Sequence, residues 1–275
     1  MNLYSNVYLK NTRTLSFDSL NTKQISQLFN NHSLYMWLSI SSITNEDIET
    51  IFTFTPLFNR DASLTSTDPI NQDAFFIEMK TNKNQQIVLS NVFNDVINML
   101  TQINKDINIQ TNIFNKIKTI SLSEIKDAHN LLKQPKILNK YVTKYGPTIF
   151  ATDLNNIIHN QFYPICDDIN NTAILYMPLV DKETVLPILK LTIRPTAEQI
   201  TNQLNKMDVN LLNEKIYDES IFKKDNSLCN SVGIQIYFSN LMMVLLKKYH
   251  LSEVIHSIWT KEFYDYINKY KIKIM

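Results

Sequence analysis

Glycine is almost missing. Only Gly146 and Gly233 occur in 275 residues, where ordinary usage of about 7% would give roughly nineteen. Phosphate-binding P-loops, dinucleotide fingerprints and nucleophile elbows all place glycines where backbone must approach a ligand or adopt positive φ. Neither glycine sits in such a run, so nucleotide-binding folds of those types are excluded. Cysteine is equally scarce: Cys166 and Cys229 are too few for a disulfide framework or a thiolate zinc site, and two unpaired thiols fit a reducing interior.

Charge is sparse and balanced. Charged residues make up 19% of the chain, with 27 basic against 26 acidic. That balance removes any global steering toward nucleic acid or an anionic membrane and leaves only local patches. The most apolar run, Val232 to Leu246, is short and contains Gln235, Ser239 and Asn240. A bilayer span needs about 20 apolar residues, so no membrane span is expected. The first residues lack a basic stretch followed by an apolar one, so no secretory signal is expected either.

What is present is asparagine, about one residue in eight, with abundant isoleucine and lysine and only three arginines. Codons for the enriched residues are rich in A and T, which points to an AT-rich genome and says nothing direct about activity. The apolar fraction of 44% supports a substantial folded core.

Along the chain, residues 34–40, 51–58, 74–80 and 86–89 are rich in aromatic and β-branched side chains and read as strands of an antiparallel meander. A helix near 20–29 precedes them. From Ser90 the period changes: Phe93, Val96, Leu100, Ile103, Ile107, Phe114 and Ile117 form a heptad-like stripe, read either as a core helix across the sheet or as a self-association seam. Its flanking positions carry Asn and Thr more than Glu and Lys, which favours the core. Further helices are expected over about 123–133 and 137–144, stopped by Gly146-Pro147. Residues 172–180 and 184–193 suggest a hairpin, with Pro178 and Pro187 at edges or bulges. Thr196-Ala-Glu-Gln199 is a capping-box pattern. Helices are expected over 232–249 and 252–270.

The segment 157–168, IIHNQFYPICDD, holds His159, Cys166, Asp167 and Asp168. A thiol nucleophile needs a base within reach and an oxyanion pocket. Pro164 interrupts the helix that would align His159 with Cys166, and two aspartates beside the thiol oppose its ionisation. The reading is a structural cysteine beside a turn. His250 and His256 are six apart, not the four that places two metal ligands on one helical face. No catalytic residue, no metal site and no cofactor follows from these patterns. The tail interleaves Trp259, Phe263, Tyr266 and Tyr270 with Lys269, Lys271 and Lys273. This is either an amphipathic terminal helix or a surface for single-stranded nucleic acid.

The fold expected is α+β: an N-terminal antiparallel β-meander (1–89), then a larger, mainly helical part (90–275) with one β-hairpin insertion near 172–194, the two forming separate units or one continuous domain. The function expected is a non-catalytic structural or interaction protein, an assembly or capsid component of a virus with an AT-rich genome. The alternatives are a nucleic-acid or ribonucleoprotein-binding factor using the tail, and an enzyme without a sequence-local motif. A protein partner or self-assembly is expected, in the cytoplasm or a virion.

Overall fold

The computed structural model describes residues 40–41, 50–58, 71–106, 114, 117–121, 135–151, 171–179, 184–196, 198–199, 202, 230–255 and 261–270. Seven strands form one sheet: β1 (Thr50–Phe58), β2 (Asn71–Lys80), β3 (Lys118–Ser121), β4 (Thr148–Ala151), β5 (Thr172–Pro178), β6 (Val185–Ile193) and β7 (Ser231–Tyr237). Their spatial order is β1-β2-β7-β6-β5-β4-β3. Every neighbouring pair is antiparallel except β3 and β4, which run parallel.

The hairpin expected near 172–194 is present as β5 and β6, but as the centre of this sheet rather than an insertion. β2 bonds to β7, so residues on both sides of position 89 share one sheet. Pro187 sits beside a register shift between Leu175 and Tyr176, where an interior strand tolerates a missing N–H.

Among the described residues these helices accompany the sheet: α1 (Gln85–Asp106), α2 (Pro135–Tyr145), α3 (Phe238–Leu245) and α4 (Lys261–Tyr270). Asn84 caps α1, its Oδ1 accepting the Gln86 N–H at 2.9 Å. Residues 86–89, expected as a strand, are therefore the first turn of this helix. Val96 and Leu100 on α1 enter the main core with Leu189, Leu191, Ile234 and Ile236, so the stripe from Phe93 is core over the length of α1. Pro135 opens α2, where a missing N–H costs nothing. Gly146, at φ 80°, ends it, donating its N–H to Val142 at 2.7 Å.

Two sequence expectations fail at the C-terminal end. Residues 232–249 were expected as one helix, yet Ser231–Tyr237 is a buried strand and only Phe238–Leu245 is helical. Alternation decides: Val232, Ile234 and Ile236 face the helices while Ser231, Gly233 and Gln235 face away, a period of two that helix-scale averaging hides. The helix expected from Ser252 is a short 3-10 turn over Leu251–Glu253, and α4 starts at Lys261. Ile40, expected to end a strand, is helical and fully buried. The helices expected at 20–29 and 123–133, and the segment 157–168, lie outside the described residues.

Candidate active site

The sheet has two unlike faces. Phe75 and Ile77 of β2, Leu189 and Leu191 of β6, Ile234 and Ile236 of β7 and Leu175 and Met177 of β5 pack under α1 and α3. The alternate residues of the same strands form the opposite face, and they are largely polar. Register aligns them in rows: Ile174, Lys190, Gln235 and Phe76 in one; Thr172, Thr192, Gly233 and Glu78 in the next. Arg194 follows beside Ser231, its N–H bonded to the Ser231 carbonyl at 3.1 Å. Glu78, Lys190, Thr192, Arg194, Ser231 and Gln235 are all buried. Charged groups are kept out of water only where partners compensate for lost hydration.

Glu78 and Arg194 form that compensation. Arg194 Nε donates to both carboxylate oxygens, at 2.9 and 3.1 Å, and Nη2 donates to Oε2 at 2.5 Å. The Ser231 hydroxyl donates to Glu78 Oε1 at 2.5 Å. Three strands thus converge on one carboxylate. The guanidinium lies against Gly233, where an added Cβ would stand 2.2 Å from Nη2 and 2.6 Å from Cζ. Only glycine admits that approach. Thr172 and Thr192 share a hydroxyl hydrogen bond of 3.0 Å in the adjoining row.

Lys190 and Arg194 stand four residues apart on one strand face, about 13 Å at 3.3 Å per residue. Toward the other end of the face lies Tyr176, on β5. Burial, and then the neighbouring Tyr237, push its phenol well above the ordinary range, so it stays a protonated donor. The Glu78–Arg194 pair, the Lys190 ammonium, a neutral phenol and an amide meet on one sheet face with one net positive charge among the three charged groups, a set able to hold and orient an anionic substrate.

These residues were not the candidates read from the sequence. Lys269 is exposed on α4, with Phe263, Tyr266 and Tyr270 on the same helix. Trp259, Lys271 and Lys273 lie outside the described residues, as do His159, Cys166 and His256. α4 is anchored by Ile267, which is buried in the main core. His250 is an ordinary cap: its Nδ1 accepts the Ser252 N–H at 3.1 Å while Glu253 accepts the His250 N–H at 3.2 Å. Among the described residues no His, Cys, Asp or Glu cluster is placed to hold a metal, and no helix is long and apolar enough to cross a membrane.

The profile of the aspartate-ammonia ligase family matches residues 11–271. The chain belongs to that family. No curated protein matches it. Its fold is similar to that of the asparaginyl-tRNA synthetase of Pyrococcus horikoshii in complex with asparaginyl-adenylate, at TM-score 0.56 and 14% identity over 83% of this chain and 56% of the other. The Entamoeba histolytica asparaginyl-tRNA synthetase, also with asparaginyl-adenylate, gives TM-score 0.55 and 13% identity over 82% and 56%. The aspartyl-tRNA synthetase of the same organism gives TM-score 0.55 and 15% identity over 82% and 50%. The chain spans about half the length of these solved structures, and at such identities the likeness concerns the fold alone.

The family overturns the expected function. A non-catalytic structural or capsid protein is the wrong class; the match points to an enzyme, the last of the expected alternatives. Scarce glycine excludes P-loop and dinucleotide folds. It does not exclude an antiparallel sheet whose side chains meet a nucleotide.

Proposed function

We propose that the protein is an ATP-using ligase that joins ammonia to the side-chain carboxylate of aspartate on the polar face of β2, β7, β6 and β5. The observation that carries this reading is the family match over residues 11–271. The buried polar face supports the location, because it is the one place among the described residues where several buried charged and hydrogen-bonding groups meet.

A carboxylate does not condense with ammonia unaided in water, since its oxygen is a poor leaving group. In the proposed reaction the carboxylate oxygen attacks the α-phosphorus of ATP. A C–O–P linkage forms, the bond to the β-phosphate oxygen breaks, and pyrophosphate leaves. Ammonia then attacks the acyl carbon, loses a proton to solvent, and AMP departs with the electron pair of the C–O bond. The synthetases of like fold were captured with asparaginyl-adenylate, an intermediate of this class. Lys190 contributes positive charge beside the transferring phosphoryl group, where charge stabilisation lowers the barrier most; Arg194, about 13 Å along the strand and paired with Glu78, orients another part of the substrate. Glu78, Ser231 and Gly233 fix the plane of the Arg194 guanidinium beforehand, so no reorganisation is needed during reaction.

The test is direct. Purified protein is given ATP, aspartate and an ammonium salt, and products are separated by chromatography. AMP, pyrophosphate and asparagine should accumulate in equal amounts. ADP and inorganic phosphate would indicate an acyl phosphate and overturn the adenylate step. Folded protein that consumes no ATP with these substrates would overturn the reading altogether.

A further inference from the structure

The chain as a whole carries nearly equal numbers of basic and acidic residues, yet α2 contains no acidic residue at all. Its sequence, PKILNKYVTKY, places Lys136, Lys140 and Lys144 at four-residue steps, about 6 Å apart along the axis. Leu138 and Val142 are buried, while Lys140, Thr143 and Lys144 are exposed. Beside this row Lys118, exposed at the start of the edge strand β3, holds its ammonium 3.6 Å from the centre of the Tyr145 ring. The Lys144 ammonium lies 5.0 Å from the same centre. Two like charges are gathered on one ring, and no described carboxylate pairs with Lys118, Lys140 or Lys144. A hydrogen bond from Lys144, with the charges of both lysines, holds the Tyr145 hydroxyl below the usual phenol range. The Tyr141 ring stands 6.3 Å from that of Tyr145.

We infer that this face, formed by Lys118, Lys140, Lys144, Tyr141 and Tyr145 at the β3 edge of the sheet, binds single-stranded nucleic acid. Charge complementarity favours an anionic partner: gathered ammonium groups repel one another, and a polyanion removes that repulsion. Exposed lysines spread over α2 and the start of β3, Lys140, Lys144 and Lys118, match a chain of phosphates rather than a single anion. Half-buried tyrosines beside them supply the ring surfaces on which bases stack. A membrane surface fits poorly, because none of the exposed large apolar side chains among the described residues lies on α2 or β3. The inference does not rest on the ligase reading, since its lysines and tyrosines lie on α2 and β3 and none belongs to the polar rows of β2, β7, β6 and β5.

Fluorescence anisotropy with a labelled oligouridylate tests it, using the full chain and a variant combining Lys118→Ala, Lys140→Ala and Lys144→Ala. These lysines are exposed, so the variant should fold, and ligase turnover should be unchanged. Affinity should fall about tenfold or more. The slope of log K against log salt should flatten by about 2, near 0.7 for each single-strand phosphate contact removed. Lys105→Ala on α1 should leave both unchanged. Equal affinity and slope in the wild type and the triple variant would overturn the inference. So would displacement of the oligonucleotide by polyglutamate or anionic vesicles at equal charge concentration, which would make the face a general anion surface.

Discussion

The guanidinium of Arg194 occupies the space that a side chain at position 233 would fill, its Nη2 only 2.2 Å from where a Cβ on Gly233 would stand. One of three arginines and one of two glycines in the chain have been placed face to face. The contact fixes the height of the guanidinium above β7, and Glu78 fixes its rotation.

Gly233→Ala should therefore act through the ion pair. The methyl group drives Arg194 away from Glu78, and a buried charge left without its partner costs roughly 3–5 kcal/mol. The same substitution in a Glu78→Gln, Arg194→Met background should cost much less, because no pair remains to be broken. Urea unfolding of the wild type and these three variants measures the coupling. Additive costs would show that the methyl group harms the strand itself and leaves the pair intact.

Glycine scarcity has a second consequence at the end of α3. Lys247 adopts φ 54° there, with the Lys248 N–H bonded to the Met243 carbonyl at 2.8 Å. This is the left-handed position that glycine normally takes after a helix, and a side chain there costs about 1–2 kcal/mol. Lys247→Gly should stabilise the protein, by about 1 kcal/mol after the greater entropy of glycine in the unfolded chain is subtracted. A lowered urea midpoint would show that the lysine side chain contributes more than its backbone strain costs.

Much of this was legible in the sequence, and the part that was not has a physical cause. The hairpin of β5 and β6 was readable because apolar runs flank a polar turn. The Thr196 capping box was readable because it is local, and the Gln199 N–H indeed donates to Thr196 Oγ1 at 3.3 Å. The strand Ser231–Tyr237 was hidden because it continues into an apolar helix with no break in composition. The candidate site is non-local throughout: Glu78 and Arg194 are 116 residues apart. The alternation of Lys190, Thr192 and Arg194 with Leu189, Leu191 and Ile193 was visible, and in a strand it means one polar face. Two rare residue types, arginine and glycine, were the remaining signal.

Lys190 offers a second probe of activity beside Arg194, whose removal strands Glu78. Lys190→Met keeps the length and apolar stem of the side chain while deleting the charge. If the ammonium faces substrate anions during catalysis, kcat/KM for ATP should drop at least about tenfold, the equivalent of 1.4 kcal/mol in the transition state. Because the Lys190 ammonium is buried and partnered, a urea midpoint measured alongside separates lost folding from lost turnover. Wild-type kinetics in this variant would remove Lys190 from the working face.

The last expectation concerns pH. Burial pushes the His250 imidazole down to about 4, and the Glu253 charge only partly offsets this. The imidazole is held neutral because its Nδ1 must accept the Ser252 N–H, which a protonated ring cannot do. An unfolded chain takes up this proton near pH 6.5 and the folded one only near 4, so between those values the unfolded state binds more protons. The contribution is thus fully present above about pH 6.5 and is lost as pH falls toward 4. Allowing for partial solvent screening, it amounts to about 1–2 kcal/mol. His250→Asn keeps an acceptor for the Ser252 N–H and removes the titration. Urea midpoints at pH 7 and pH 5 should differ less in this variant than in the wild type. An unchanged difference would assign the acid sensitivity to other groups and leave His250 a cap without a titration of its own.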